Sequence, residues 1–278
     1  MATRRDVYNE LCEAARGLYG EDEARQIARM VLESRGVAYN RLIVEPNEEL
    51  QIDDLERIVA DIRRWRPVQH IIGVADFADM ELEVTPDVLI PRPETEELVA
   101  WVAADATPGA CIVDVCTGSG CIALALARMV PDSRVWAIDL SPEALAVARR
   151  NATRYAPEVR FIEADALGDF AAAVGESVDV VVSNPPYIPT SDRVSMRPNV
   201  LDYEPRMALF VADDDPLLFY RAIARTSRRM LRDGGRLYFE IYELFSLDVM
   251  AMLEREGYRN AVVREDFRGK KRMVCAVK

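Results

Sequence analysis

Apolar residues recur at helical spacing through the first part of the chain. Val7, Leu11, Ala14, Ala15 and Leu18 share one face, and Ala24, Ile27, Ala28, Val31 and Leu32 share another, with Gly36 as a natural stop. A third helix is predicted over roughly 52–65, opened by Asp53 and Asp54 where the helix dipole favours anions. Arg63, Arg64 and Arg66 complement its far end. Pro67 then breaks the pattern. Between Ile71 and Ile90 the period falls to two: Phe77, Met80, Leu82 and Val84 alternate with polar residues around a turn at Asp79, which predicts a β-hairpin. A helix follows from about Glu94, with Leu98, Val99 and Val102 on one face.

Beyond Cys111 the pattern changes to short Val/Ile-rich runs separated by helical stretches. Strands are predicted at 111–115, 134–138, 158–162, 178–183 and 236–241, and helices at 121–129, 142–155, 166–174, 216–231 and 244–256. Such alternation implies an α/β fold with a parallel sheet covered on both faces. The last two strands, at 258–263 and 272–277, have no helix between them and read as an antiparallel hairpin at the sheet's end. The chain therefore divides into a helical segment, 1–66, a hairpin linker, 67–90, and an α/β domain, 91–278. The stretch 188–215, with Pro189, Pro198 and Pro205, exceeds an ordinary connection, and loops of that length in a packed domain are functional or mobile.

Composition narrows the function classes. Half of the 278 residues are hydrophobic and the net charge is −12, a poor match to the phosphate backbone of a nucleic acid. No apolar run approaches the length of about eighteen residues that a membrane span needs, and the first residues lack the apolar core of a signal peptide. With an odd count of five cysteines and no Cys-x-x-Cys, a reduced cytoplasmic protein is expected. Cys111, Cys116 and Cys121 are evenly spaced, but no Cys-x-x-Cys occurs and the single histidine, His70, is distant, so no metal site is expected. Arg225, Arg228, Arg229 and Arg232, and the tip from Arg268 to Arg272, read as solvated faces.

Two stretches carry chemistry. Asn184-Pro185-Pro186-Tyr187 follows a buried strand directly. Its prolines lock the backbone and remove donors, leaving carbonyl acceptors between an amide and an aromatic ring. Asn184 Oδ1 and the Pro185 carbonyl suit the two N–H groups of a planar NH2, with Tyr187 packed against its plane. The other stretch is Asp114 to Gly120, linking the first strand of the α/β half to its helix. Gly118 and Gly120 let a ligand approach the backbone. Asp139 ends the next strand, where an acid accepts both hydroxyls of a ribose. A dinucleotide and S-adenosylmethionine share this logic, but Asp114, Asp139 and Asp165 favour the cationic sulfonium cofactor over a pyrophosphate.

With these marks the chain resembles the class I S-adenosylmethionine-dependent methyltransferases, and within them the release-factor glutamine N5-methyltransferases. Pro67 to Gly73, Leu89-Ile90-Pro91-Arg92-Pro93-Glu94-Thr95-Glu96, Glu204-Pro205 and Ala208-Leu209 carry the narrower likeness. The resemblance implies a Rossmann-like seven-stranded sheet preceded by a substrate-recognition domain. It implies methyl transfer to the glutamine of the Gly-Gly-Gln loop of peptide chain release factors, with S-adenosylhomocysteine as product. By position, Cys116, Thr117, Gly118, Ser119, Gly120, Asp139, Ala166 and Asn184 would hold the cofactor, and Asn184, Pro185, Pro186 and Tyr187 the substrate amide. Cys116 stands where the family usually has glycine, Tyr242 where glycine is frequent, and Ala166 where a larger residue is common. A ribosomal-protein glutamine methyltransferase and a nucleic-acid adenine N6-methyltransferase share the tetrapeptide logic. A cofactor-binding domain without chemistry is the non-enzymatic alternative, against which the intact tetrapeptide counts.

Overall fold

Thr3 opens the first helix with a capping box. Its side chain accepts from the Asp6 N–H while the Asp6 carboxylate accepts from the Thr3 N–H. The structure is a computed structural model and describes residues 2–278. Helices α1 (Arg4–Tyr19), α2 (Glu21–Ser34), α3 (Tyr39–Val44), α4 (Leu55–Arg63) and α5 (Val68–Ile72) pack around Leu11, Ala15, Val31, Leu32, Ile58 and Ile62. The third predicted helix begins later than its apolar pattern, at Leu55, because Asp54 is drawn into bonds with Arg35 and Arg57 and makes no side-chain cap. The compact unit runs Met1–Val74 and also takes in Arg197–Tyr203. In that distant segment Arg197 pairs with Glu23 at 3.1 Å, and the Tyr203 hydroxyl donates to the Arg64 carbonyl at 2.7 Å.

The second unit comprises Ala75–Met196 and Glu204–Lys278. It opens on the predicted hairpin, β1 (Val74–Phe77) and β2 (Met80–Glu83). Ala78 and Asp79 both take positive φ at its tip, as a tight two-residue hairpin turn requires. Then come α6 (Pro93–Asp105), β3 (Cys111–Val115), α7 (Cys121–Met129), β4 (Arg134–Asp139), α8 (Pro142–Tyr155), β5 (Arg160–Glu163), α9 (Phe170–Val174) and β6 (Val178–Ser183). The predicted helix at 166–174 starts only at Phe170. Asp165 accepts the Leu167 N–H in a local turn, and Asp169 caps the helix from outside.

The long connection is folded rather than irregular. It carries β7 (Ile188–Pro189), α10 (Pro198–Leu201), α11 (Arg206–Leu209) and β8 (Phe210–Val211), with β7 and β8 paired in parallel. After it come α12 (Leu218–Met230), β9 (Leu231–Glu240), α13 (Ser246–Arg255), β10 (Arg259–Glu265) and β11 (Lys271–Val277).

Seven strands form one sheet in the order β10-β11-β9-β6-β3-β4-β5. The contacts from β5 through β9 are parallel, and β11 runs antiparallel to both β9 and β10. Two apolar clusters cover its faces. Leu98, Ile122, Leu126 and Ala152 bring α6, α7 and α8 to one side, and Phe170, Tyr220, Ile223 and Leu253 bring α9, α12 and α13 to the other. All five residues of β3 are buried, so the sheet's centre fixes the position of the loop that leaves it. Among the described residues no helix is long and apolar enough to cross a membrane.

Candidate active site

The C-terminal ends of β3, β4, β5 and β6 open on one cavity of about 380 Å³, the edge at which open α/β sheets take ligands. Cys116, Thr117, Gly118 and Ser119 line it after β3, Asp139 and Leu140 at the end of β4, Asp165, Ala166 and Leu167 after β5, and Asn184 and Pro186 after β6. The first of these loops needs left-handed backbone at three places: Cys116 at φ 63°, Gly118 at 55° and Gly120 at 85°. Cys116 thus holds with a Cβ a conformation that favours glycine. The two glycines differ in purpose. A Cβ on Gly118 meets nothing within 4 Å, because the cavity lies there. A Cβ on Gly120 would stand 3.2 Å from the Ala148 Cβ, so this glycine lets α7 approach α8 and does not line the cavity.

The carboxylates divide in the same way. Asp139 Oδ2 accepts from the Gly118 N–H at 2.8 Å and Oδ1 from the Ser141 N–H at 3.0 Å. Burial pushes its carboxyl above the ordinary range, and these backbone donors oppose that. Asp114 is fully buried and lies outside the cavity lining. Its Oδ2 accepts from the Thr117 hydroxyl at 2.6 Å and the Ala123 N–H at 3.2 Å, so it braces the loop against α7. Burial raises its carboxyl to about 7. The electrostatic role assigned to Asp114 from the sequence is therefore corrected: the acids that face the cavity are Asp87, Asp139 and Asp165. The one basic lining residue, Arg92, is neutralised by Glu204 at 2.6 Å. Glu204 also accepts the Ile90 N–H at 3.1 Å, tying the proline-rich segment to the end of the long connection, and both supply cavity wall.

Asn184 sits where β6 ends. Its Nδ2 donates to Thr95 Oγ1 at 3.4 Å, and Thr95 in turn donates to Glu240 Oε2 at 2.6 Å. The Tyr187 hydroxyl donates to Glu240 Oε1 at 2.9 Å. Burial holds the Glu240 carboxyl above the usual carboxylate range, opposed by the bonds from Thr95 and Tyr187 and by the charge of Arg272. Pro185 is buried, and neither it nor Tyr187 lines the cavity. The Tyr187 ring instead stacks on Tyr242 at 6.1 Å between centroids, and Tyr242 donates to Asp192 at 2.5 Å. An aromatic ring at position 242, where glycine is frequent, thus supports the tetrapeptide from behind.

The cavity brings together most residues singled out in the sequence: Cys116, Thr117, Gly118, Ser119, Asp139, Ala166, Asn184 and Pro186. It leaves Gly120, Pro185 and Tyr187 in supporting positions. Among the residues that escaped sequence reasoning, four bear on the chemistry. Thr95 and Glu240 lie far from Asn184 in the chain and carried no signal beyond their place in family-like stretches. Leu140 and Leu167 are exposed leucines that follow Asp139 and Ala166 and flank the cavity, and an apolar residue just past a strand's acidic end was the available clue. Among the described residues no cluster of three or more His, Cys, Asp or Glu side chains is arranged to hold a metal ion.

Comparison with known proteins identifies the family and the fold. The sequence model of the family described as methyltransferase domain matches residues 112–201. A release factor glutamine methyltransferase of Bacteroides thetaiotaomicron is 44% identical over 223 residues, 80% of this chain and 80% of that protein. Another, from Flavobacterium psychrophilum, is 34% identical over 274 residues, 95% of each chain. Among solved structures, a methyltransferase from Pyrococcus furiosus superposes with a TM-score of 0.54 at 18% identity, covering 72% of this chain and 89% of that one, which speaks for the fold.

Proposed function

The chain belongs to the release factor glutamine methyltransferases, and from that premise we propose that it moves a methyl group from S-adenosylmethionine to the side-chain amide nitrogen of the glutamine in a release factor's Gly-Gly-Gln loop. The observation that carries this reading is the Asn184 end of the cavity. Thr95 claims the Asn184 NH2, which leaves Oδ1 as an acceptor for a substrate N–H.

The cavity suits the cofactor. Its carboxylates outnumber its one paired arginine, which favours a sulfonium with an ammonium group and disfavours a pyrophosphate. Asp139 keeps two acceptor directions beyond its backbone bonds for ribose hydroxyls, and Leu140, Ala166 and Leu167 offer apolar surface for adenine. When bound, S-adenosylmethionine supplies an electrophilic methyl on sulfur. The chain's own residues do the rest by positioning. An amide nitrogen is a weak nucleophile because its lone pair is delocalised into the carbonyl. Acceptors at Asn184 Oδ1 and the Pro185 carbonyl would draw its N–H groups aside and turn the lone pair towards the methyl. In such a transfer the N–C bond would form as the donor's S–C bond breaks, its electron pair remaining on sulfur, and the amide nitrogen would shed a proton to solvent. Charge disappears from sulfur, so an apolar wall favours the step.

The helical unit would grip a second surface of the release factor, lending binding energy remote from the chemistry. Its α3 exposes Ile43 by 70% and Val44 by 76%, apolar surface that a protein partner would cover. The proposed setting is the cytoplasm, without nucleic acid as a direct partner, in keeping with a net charge of −12.

Incubating the enzyme with intact release factor, DNA and RNA and methyl-tritiated cofactor tests the reading. Label should enter the factor alone, and mass spectrometry should place it on the Gly-Gly-Gln glutamine. Ile43→Asp with Val44→Asp should raise the KM for the factor and leave cofactor binding intact. A methyl on another residue, or nucleic acid labelled at a comparable rate, refutes the assignment.

A further inference from the structure

We propose that Glu240 is a positioning residue for the transfer: one buried carboxylate that aims both ends of the Asn184–Tyr187 loop. The inference rests on the reading above and adds a residue to it. Glu240 ends β9, the parallel neighbour of β6, and Ser183 pairs with Phe239. The carboxylate therefore emerges beside the loop at the moment the loop leaves the sheet. It is 2% exposed, as is Thr95. One oxygen accepts a hydrogen bond from the Thr95 hydroxyl and the other accepts one from the Tyr187 hydroxyl.

This division has a consequence for Asn184. A threonine hydroxyl has one proton. With that proton committed to Glu240 at 2.6 Å, Thr95 Oγ1 faces Asn184 as an acceptor only. Asn184 must then turn its NH2 towards Thr95, as it does at 3.4 Å, and keep Oδ1 for the cavity. The opposite flip would set the Asn184 NH2 against the substrate's NH2, donor against donor. At the other end, the bond to Tyr187 fixes its ring, which also stacks on Tyr242. Glu240 thus reads as an orientation device that reaches the substrate only through other side chains. A buried carboxylate is costly unless its hydrogen bonds offset the burial, and here each oxygen accepts from a hydroxyl that supports the loop.

The test uses the full chain with intact release factor and the variants Thr95→Val, Thr95→Ser and Glu240→Gln. Thr95→Val preserves shape and removes the hydroxyl, and Glu240→Gln replaces one acceptor by an NH2. Both should lower kcat by about tenfold or more, the loss of an aligned acceptor in the transition state. The KM for the factor and the calorimetric Kd for S-adenosylmethionine should stay within about threefold, as expected for contacts made only in the transition state. Thr95→Ser should recover most of the turnover lost in Thr95→Val. A second readout needs no protein substrate. The side-chain amide resonance of Asn184, identified by its loss in Asn184→Ala, should shift in Thr95→Val and Glu240→Gln and return towards its original position in Thr95→Ser. Wild-type turnover in Thr95→Val, a loss confined to KM, or an unmoved Asn184 resonance in Glu240→Gln overturns the proposal. If the wild-type enzyme fails to label the release factor, the substrate assignment falls, and the resonance still decides whether Glu240 orients Asn184.

Discussion

Replacing Asp139 by alanine separates the cofactor's demands from those of the fold. A carboxylate offers roughly four lone-pair directions. Backbone donors take part of this capacity, the Gly118 N–H at 2.8 Å and the Ser141 N–H at 3.0 Å, and the side chain that keeps the rest belongs to a residue lining the cavity. Removing a hydrogen-bond pair from a charged acceptor costs roughly 1.5–3 kcal/mol, between about 10- and 150-fold in Kd for S-adenosylmethionine. The same change frees the Gly118 and Ser141 donors, so unfolding should also become easier by roughly 1–3 kcal/mol. Asp139→Asn is expected to be nearly as damaging. Its amide has one oxygen, so an NH2 must oppose one of those two backbone donors. Isothermal calorimetry with S-adenosylmethionine and with S-adenosylhomocysteine gives the decisive comparison. The two ligands share the ribose and differ in the charge on sulfur, so the loss should be equal for both. Wild-type affinity in Asp139→Ala refutes the ribose assignment. A loss several-fold larger for the charged ligand would make Asp139 a counter-ion instead.

Asn184→Ala should depress kcat strongly and leave cofactor affinity within a few-fold, since its contact is made to the substrate amide; near-normal turnover would make the tetrapeptide a structural loop. Gly120→Ala should lose roughly 1–3 kcal/mol in urea unfolding, from the left-handed backbone and from crowding against Ala148. Gly118→Ala has no such neighbour, so it should be less destabilising and more harmful to cofactor binding. Asp114 has its folded-state carboxyl raised to about 7 from an ordinary 3.8, so its contribution to stability is complete below about pH 4 and is lost as pH rises through 7. Asp114→Asn should abolish that slope, worth up to roughly 4 kcal/mol. Urea unfolding of the two proteins at pH 5 and pH 8 measures it, and an identical wild-type-to-mutant difference at both values would show that Asp114 does not titrate there.

Periodicity carried most of the fold, because strands buried on both faces and amphipathic helices write their partners into the chain. Val178–Ser183 and Cys111–Val115 were readable as interior strands from their valines and isoleucines alone. Local chemistry shifted the edges: Asp165 and Asp169 delay α9, and the glycines at 234 and 235 let β9 begin at Leu231, ahead of its apolar pattern. In the site, residues on loops that leave adjacent strands were legible, since the sheet gathers Gly118, Asp139, Ala166 and Asn184 along one edge. Thr95 and Glu240 were not. Their meeting with Asn184 depends on side-chain bonds between segments 89 and 56 residues away in the chain, and spacing has no means of expressing that. Asp114 misled for the opposite reason. Its position beside the glycine loop is right for a ligand contact, but β3 is covered on both faces, so its side chain is buried in the interior whichever way it points.

The sheet's strand order sets a rule for making the enzyme. The latest strand in chain order, β11, lies inside the sheet, between β9 and β10. Met273 on β11 pairs with Glu240. A ribosome that has translated everything up to Gly269 has therefore produced every cavity-lining residue, yet β9 still has a bare edge at the point where Glu240 must be held. Translation supplies about 5–20 residues per second, so the interval is short, but until β11 arrives the nascent chain exposes an unpaired strand open to wrong partners. A stop before β11 would remove the strand that pairs with Glu240. Such a chain would have an open sheet edge, recognisable to chaperones and proteases, which ties quality control of the product to the arrival of β11.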